Sequence, residues 1–345
     1  MNIALIFGGM SSEHEISCLS AKTVFEALDR EKDVIYPIFI TKDGKWRLTP
    51  GIADYSKEEI ETFPAALVLP SRESFNCNIL GEEEQRIHLD IAIPVLHGKY
   101  GEDGTIQGLF ELAGIPYVGC GVLASGAAMD KATTKRVVDP LKIRQAKHVV
   151  VYKYELSSPE TVAEKVEKKL EYPVFVKPSN AGSSVGVSQA ANREELVKAL
   201  QIAAEQDYKM LVEESIVGHE VECAVLGNVD VKASQVGEIL AADTFYTYEA
   251  KYSNPDSQTV IADYLPKETI EEIRDDAVRI FKALDGRGLS SVDFFIEEKT
   301  GEVVFNEINT FPGFTSISMY PTLWNHEGLS TKDLIARLIE LGMER

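Results

Sequence analysis

"SVDFFIEEKTGEVVFNEIN", residues 291–309, holds two apolar, strand-like runs on either side of the turn "EEKTGE". Folding this stretch symmetrically about residue 300 sets Asp293 opposite Glu307, and the two-residue period of a strand puts Asn309 on the same face as Glu307. Two carboxylates and an amide oxygen then converge. Like charges placed opposite each other on a ladder repel, so the pair calls for a cation. Oxygen-only donors suit a hard ion such as Mg²⁺, particularly where nucleotide phosphates and water complete its shell. The plain alternative is a solvated sheet face, which the apolar neighbours "SV" and "FFI" of Asp293 disfavour.

A second stretch fits the same chemistry. "KPSNAGSSVGVS", residues 177–188, follows the apolar run "YPVFV" and carries almost no bulk. Glycine tolerates positive φ, and small side chains leave backbone N–H groups open to an anion. A simple hairpin turn would look the same in isolation. With Lys177 at its start and a hairpin of metal ligands elsewhere, the loop describes a nucleoside triphosphate site. It is not a P-loop, since G-x-x-x-x-G-K-[ST] is absent. Lys131, in "MDK", is a second candidate phosphate cation, and Glu213 and Glu220, in "VEESIVGHE", are candidates for the adenine amino group and the ribose hydroxyls.

Composition narrows the partners. The chain has 345 residues, enough for two or three domains, and a formal net charge of −20 that argues against a nucleic-acid binder. Any phosphate site must therefore be locally basic. Cys18, Cys77, Cys120 and Cys223 lie far apart, without C-x-x-C spacing, so neither a zinc site nor a disulfide framework is expected. The opening "MNIALIFGG" reaches its glycines too early for a signal peptide, and no apolar run approaches membrane-spanning length, so a cytoplasmic protein is expected.

The same opening reads as a buried strand, a glycine turn and a helix with apolar spacing at Ile16, Leu19, Val24 and Leu28, then the strand "VIYPIFIT". This β-α-β order predicts a Rossmann-like parallel sheet with a crevice at its strand C-termini. "LDIAIPVLHG" repeats the theme. A change to small residues near 120–130 starts a new unit, and "EVECAVLGN" and "VKASQVGEIL" read as antiparallel strands beside the amphipathic helix "KETIEEIRDDAVRIFKAL". Residues 243–266, "DTFYTYEAKYSNPDSQTVIADYLP", are aromatic and turn-rich without steady period, as in a lid or binding loop.

Taken in order, "FGGMSSEHEIS", "HGKYGEDGTIQGLFELAGIPYVG", "MDK", "VKPSNAGSSVGVS", "FYTYEAKY" and "NEINTFPGFTS" resemble the D-alanine–D-alanine ligases of the ATP-grasp superfamily over nearly the whole chain. The resemblance implies an α/β (α+β) three-domain ATP-grasp fold, with units at 1–121, 122–212 and 213–345. It implies phosphorylation of one D-alanine carboxylate by ATP and attack on the acyl phosphate by a second D-alanine. By the same resemblance Glu15 holds the first D-alanine's ammonium, and Lys131, Lys177 and Lys251 contact ATP. Ser183 and Ser184 form the phosphate loop, and Tyr252 closes a lid through hydrogen bonds to Glu15 and Ser183. Asp293, Glu307 and Asn309 carry Mg²⁺ or Mn²⁺. His97 lies near the substrates, Ser318 binds the second carboxylate, and the Gly313 N–H faces the oxyanion. A homodimer is expected on the same ground.

Two positions depart from the family pattern. Ser291 stands where the family usually has an arginine facing the oxyanion, and Arg287 lies about 13 Å back along the strand. Ile317 stands where many members have histidine. These departures keep other readings open, namely a D-alanine–D-serine or D-alanine–D-lactate ligase, or an ATP-binding relative impaired in turnover. A dinucleotide-binding module is weakest, because "GGMSSEHE" lacks G-x-G-x-x-G.

Overall fold

The computed structural model describes residues 1–70, 74–182, 185–240 and 258–345. Within them the chain builds three sheets, each covered by helices, and the sheets meet around one large cleft.

The first sheet is formed by β1 (Asn2–Gly8), β2 (Val34–Ile40), β3 (Trp46–Leu48), β4 (Ala65–Val68), β5 (Cys77–Leu80), β6 (Glu84–Ile87) and β7 (Ile91–Val95), in the order β6-β5-β4-β3-β2-β1-β7. β1 is buried along nearly its whole length, as a strand covered on both faces must be. Its Gly8 lies at φ +87°, where an added Cβ would sit 2.3 Å from the Ile40 carbonyl oxygen. No other residue fits that turn. The helix His14–Ala27 then packs Ile16, Ala21 and Val24 inward, whereas Leu19, expected on the apolar face, is 56% exposed.

The parallel sheet expected from the opening pattern is observed at its centre and corrected at its edge. Only β1 with β2 and β1 with β7 run parallel, and the four outer strands join antiparallel. The reason is local, because β2 and β3 are linked by a tight turn in which Gly44 N donates to the Thr41 carbonyl. A parallel return would need a crossover of a dozen residues or so.

The second sheet, β8 (His148–Tyr152), β9 (Val174–Pro178), β10 (Ser188–Ala190) and β11 (Lys209–Glu214), is antiparallel in the order β10-β9-β11-β8. Helices Pro159–Glu167 and Arg193–Gln206 bury Val162, Val166, Leu196 and Leu200 against it. The small-residue stretch that begins at Lys177 leaves β9 and returns as β10.

The third sheet is also antiparallel, with β12 (Gly218–Gly227), β13 (Lys232–Leu240), β14 (Gln258–Ile261), β15 (Gly288–Glu297) and β16 (Val303–Asn309) in the order β14-β13-β12-β15-β16. Helix Lys267–Ala283 presents Ile270, Ile273, Ala277 and Ile280 to it at helical spacing. The helices Val122–Met129 and Lys131–Val138 pack into this third core rather than the second. The last helix, Thr331–Met343, buries Leu334, Ile335 and Leu338 among residues of β1, β7 and β15, joining the first and third sheets in one apolar cluster.

Candidate active site

The cleft between the sheets has a volume of about 1540 Å³ and takes walls from all three. The N-terminal loops supply Glu13, His97 and Glu102, the second sheet supplies Lys177 and Glu213, and the third supplies Glu220 and Glu307.

Asp293 stands opposite Glu307 in the β15–β16 ladder, and Ser291 stands opposite Asn309. Nearer the turn, Phe294 pairs with Phe305 and Phe295 with Val304, so the hairpin closes one residue out of step and a bulge at Asn306 restores the outer register. Asn309 Nδ2 donates to Asp293 Oδ2 at 3.3 Å, which brings the amide and both carboxylates onto one face. Two carboxylates and an amide are hard oxygen donors; Glu307 and Asn309 line the cleft, and the buried Asp293 stands opposite Glu307 on the ladder. The set suits Mg²⁺. Among the described residues no group of three or more His, Cys, Asp or Glu is placed to hold a metal ion.

The cations approach from the other side. Lys131 Nζ lies 3.1 Å from Glu307 Oε2 and donates to the Ala181 carbonyl at 2.9 Å. Asp130 caps the helix Lys131–Val138 by accepting from Thr133 N and is itself paired with Lys209. Lys177 Nζ lies 2.5 Å from Glu213 Oε2, and Lys135 Nζ lies 2.7 Å from Glu213 Oε1. Burial opposes the charge on Glu213, but the two ammonium groups outweigh it and bring its carboxyl down to about 2. Burial likewise works against the Lys177 charge, and Glu213, Glu307 and Glu220 overcome it and hold the ammonium above its usual range. The Glu213 carboxylate is thus held between two lysines while it also lines the cleft. Glu220 lines the cleft on β12.

The N-terminal wall departs from the expectation. Glu15, expected to meet a substrate ammonium, lies on the outer face of helix His14–Ala27, where its side chain is 59% exposed and paired with Lys42. Glu13, two residues earlier, is the carboxylate that faces the cleft. It precedes the helix at the strand C-terminal edge and reaches between Gly98 and Gly182, where an added Cβ would meet Glu13 Oε2 at 2.4 Å and 2.9 Å. The signal that could have found it is position, since residues before a first-turn helix face the crevice and residues on its outer stripe do not.

His97 is buried, with Nδ1 3.1 Å from the Phe311 carbonyl oxygen and Nε2 3.1 Å from Ser20 Oγ. Burial lowers its pKa, opposed by Glu13 and the Phe311 carbonyl. Glu102, not singled out in the sequence, accepts from Gly98 N at 2.7 Å and Phe311 N at 3.1 Å. Removal from water, with Glu13 and Glu307 adding like charge, pushes its carboxyl up to about 8. Ser318 stands just before the helix Met319–His326 without a side-chain bond to its first turn; its Oγ accepts from Thr315 N at 2.9 Å, and a Cβ on Gly313 would meet that oxygen at 2.7 Å. Ile317 and Ser291 also line the cleft, and Ser291 is 2% exposed. Ser183, Ser184, Lys251 and Tyr252 lie outside the described residues. All four cysteines are free.

Two family models account for most of the chain: "D-ala D-ala ligase N-terminus" matches residues 2–120 and "D-ala D-ala ligase C-terminus" matches residues 137–340. The chain belongs to the D-alanine–D-alanine ligase family, within the ATP-grasp superfamily. A D-alanine–D-alanine ligase of Acetivibrio thermocellus is 50% identical over 360 residues, covering 99% of this chain and 96% of its own. Another, of Caldicellulosiruptor bescii, is 47% identical and covers 100% and 96%. Among solved structures, the VanG D-Ala:D-Ser ligase from Enterococcus faecalis superposes with a TM-score of 0.87 at 39% identity, covering 99% of each chain. The D-alanine–D-alanine ligase from Coxiella burnetii gives 0.88 at 33%, covering 100% and 94%. The observed mixed α/β fold is therefore related to those ligases, and no helix among the described residues is long and apolar enough to cross a membrane.

Proposed function

We propose that the protein is an ATP-dependent ligase that joins two D-alanine molecules into the dipeptide of peptidoglycan precursors, in the cytoplasm. The observation that carries this reading is the convergence of Glu307 and Asn309 with Lys131 and Lys177 in one cleft whose far wall is Glu13, with Asp293 opposite Glu307 on the ladder. The D-alanine–D-alanine ligases at 50% and 47% identity support the choice of substrates. The same reading takes the chain as a three-domain ATP-grasp enzyme divided at 1–121, 122–212 and 213–345, with helices of residues 122–138 serving the third core, and as a homodimer by family resemblance.

In this account Lys131 and Lys177 hold the ATP phosphates and Glu220 the ribose. Glu13 holds the first D-alanine's ammonium and thereby aims its carboxylate at the γ-phosphorus. A carboxylate oxygen forms the new P–O bond as the bond to ADP breaks, and ADP leaves with that electron pair. The product is a D-alanyl phosphate. The amine of the second D-alanine, its carboxylate held at Ser318, then attacks the acyl carbon, with the Gly313 N–H directed at the oxyanion. Phosphate leaves with the C–O bonding pair and the amine gives up its proton. Asp293, Glu307 and Asn309 would hold Mg²⁺ or Mn²⁺, which neutralises charge on the transferring phosphoryl group. Ser183, Ser184, Lys251 and Tyr252 are assigned to the phosphate loop and lid by resemblance.

A second reading, ligation of D-alanine to D-serine, is favoured by the 39% identity to the D-Ala:D-Ser ligase of E. faecalis. Steady-state turnover with D-alanine, D-serine and D-lactate as second substrate separates the readings. The proposal requires D-alanine to give the highest kcat/KM. A preference for D-serine or D-lactate overturns it.

A further inference from the structure

Lys135 is 1% exposed, which is unusual for a lysine, and it does not line the cleft. It sits four residues after Lys131 on the same helix, and its only described ion pair is with Glu213 Oε1. Lys177, which does line the cleft, holds the other oxygen of the same carboxylate. A buried ion pair is seldom more stable than an apolar side chain of similar volume in the same space, so stability alone gives a weak reason for a charge here.

Charge counting gives a stronger one. Two ammonium groups and one carboxylate leave a net +1 beside the phosphate position. Without Lys135, Lys177 and Glu213 would form a neutral pair, and the through-space pull of Glu307 and Glu220 on Lys177 would remain. Such a pair has little to offer a polyanion. We propose that Lys135 is a positioning residue for the nucleotide, which takes up one oxygen of Glu213 and so leaves Lys177 with charge to give a phosphate. This rests on the reading of Lys177 as a phosphate ligand. The opposed effects on these groups agree with it, since burial and the charge of Lys177 lower the pKa of Lys135 while Glu213 raises it.

The test compares MgATP dissociation constants, measured by calorimetry without D-alanine, for wild type, K135M, K135R, E213Q, K135M/E213Q and K177M, together with kcat and the KM for ATP. K135M should weaken MgATP binding roughly tenfold while leaving kcat at saturating ATP within about twofold, and K135R should bind within about twofold of wild type. K135M/E213Q restores the net +1 and should recover wild-type-like binding, which a purely structural lysine would not do. Should K135M fail to fold, E213Q and the double variant carry the test, because the double variant leaves only Lys177, which opens on the cleft, without its ion-pair partner. A double variant that binds tenfold more weakly than wild type, or a folded K135M that binds normally while K177M does not, overturns the inference alone. Normal MgATP binding by K177M overturns the reading of Lys177 and the inference with it.

Discussion

Asp293 and Glu307 face each other across the β15–β16 ladder in spite of a hairpin that closes one residue out of step, because the bulge at Asn306 absorbs the difference. Two carboxylates held opposite each other have a purpose if a cation lies between them. Glu307→Gln removes one charge from that set and should lower kcat by at least about a hundredfold, with the melting temperature little changed. Wild-type turnover at limiting Mg²⁺ would remove Glu307 from the metal site.

Glu13 and Glu15 offer a paired test of the N-terminal wall. Glu13→Gln should raise the KM for D-alanine roughly ten- to a hundredfold, as expected for loss of a charged hydrogen bond to an ammonium. Glu15→Gln should stay within about twofold of wild type in both kcat and KM, since its exposed pair with Lys42 contributes about 0–1 kcal/mol. The reverse pattern would return the ammonium site to Glu15.

Ser291 is buried at the cleft wall, with Asn309 Nδ2 3.5 Å from its hydroxyl oxygen. A preorganised cationic donor at a developing oxyanion is worth about 3 kcal/mol, or on the order of a hundredfold in rate. Ser291→Arg should therefore raise kcat by up to about that factor and leave the MgATP dissociation constant unchanged. Equal turnover by the two forms would mean that the oxyanion is already supported by other groups.

Glu102 makes folding stability depend on pH in a predictable direction. Its carboxyl is raised from the usual 4.5 to about 8, chiefly by burial, so the folded protein binds this proton more tightly than the unfolded chain does. The stability it contributes is complete below the usual carboxylate pKa and is lost as pH rises toward about 8. Thermal unfolding from about pH 5 to about pH 9 should show a fall that Glu102→Gln flattens. Identical pH profiles for the two proteins would place the Glu102 pKa in the ordinary range.

What the sequence made legible follows from which interactions are local. The hairpin at residues 291–309 could be folded on paper because both strands and their turn lie within nineteen residues, and its key pair is the one observed. The bulge could not be seen, since symmetry about residue 300 assumes an uninterrupted ladder. The outer strands of the first sheet were lost for a related reason. Its opening β-α-β order is genuinely parallel, whereas the tight turn after β2 reverses the chain. Glu213 is a candidate nucleotide contact from its sequence, but its pairing with Lys135, 78 residues away, is not legible there, because it joins a helix of the third core to a strand of the second sheet. Glu13 and Glu15 look alike in the sequence, and only the start of the helix separates the cleft-facing position from the solvent-facing one.

The proposed ligase couples ATP cleavage to peptide-bond formation between two D-alanines in this cleft. Quantifying ADP and D-alanyl-D-alanine in the same reaction, with Mg²⁺ and ATP and with or without D-alanine, tests that coupling most directly. ADP and dipeptide are expected in a one-to-one ratio when D-alanine is present, with almost no ADP when it is absent. ADP released at the same rate without D-alanine, or released with D-alanine but without dipeptide, would contradict it.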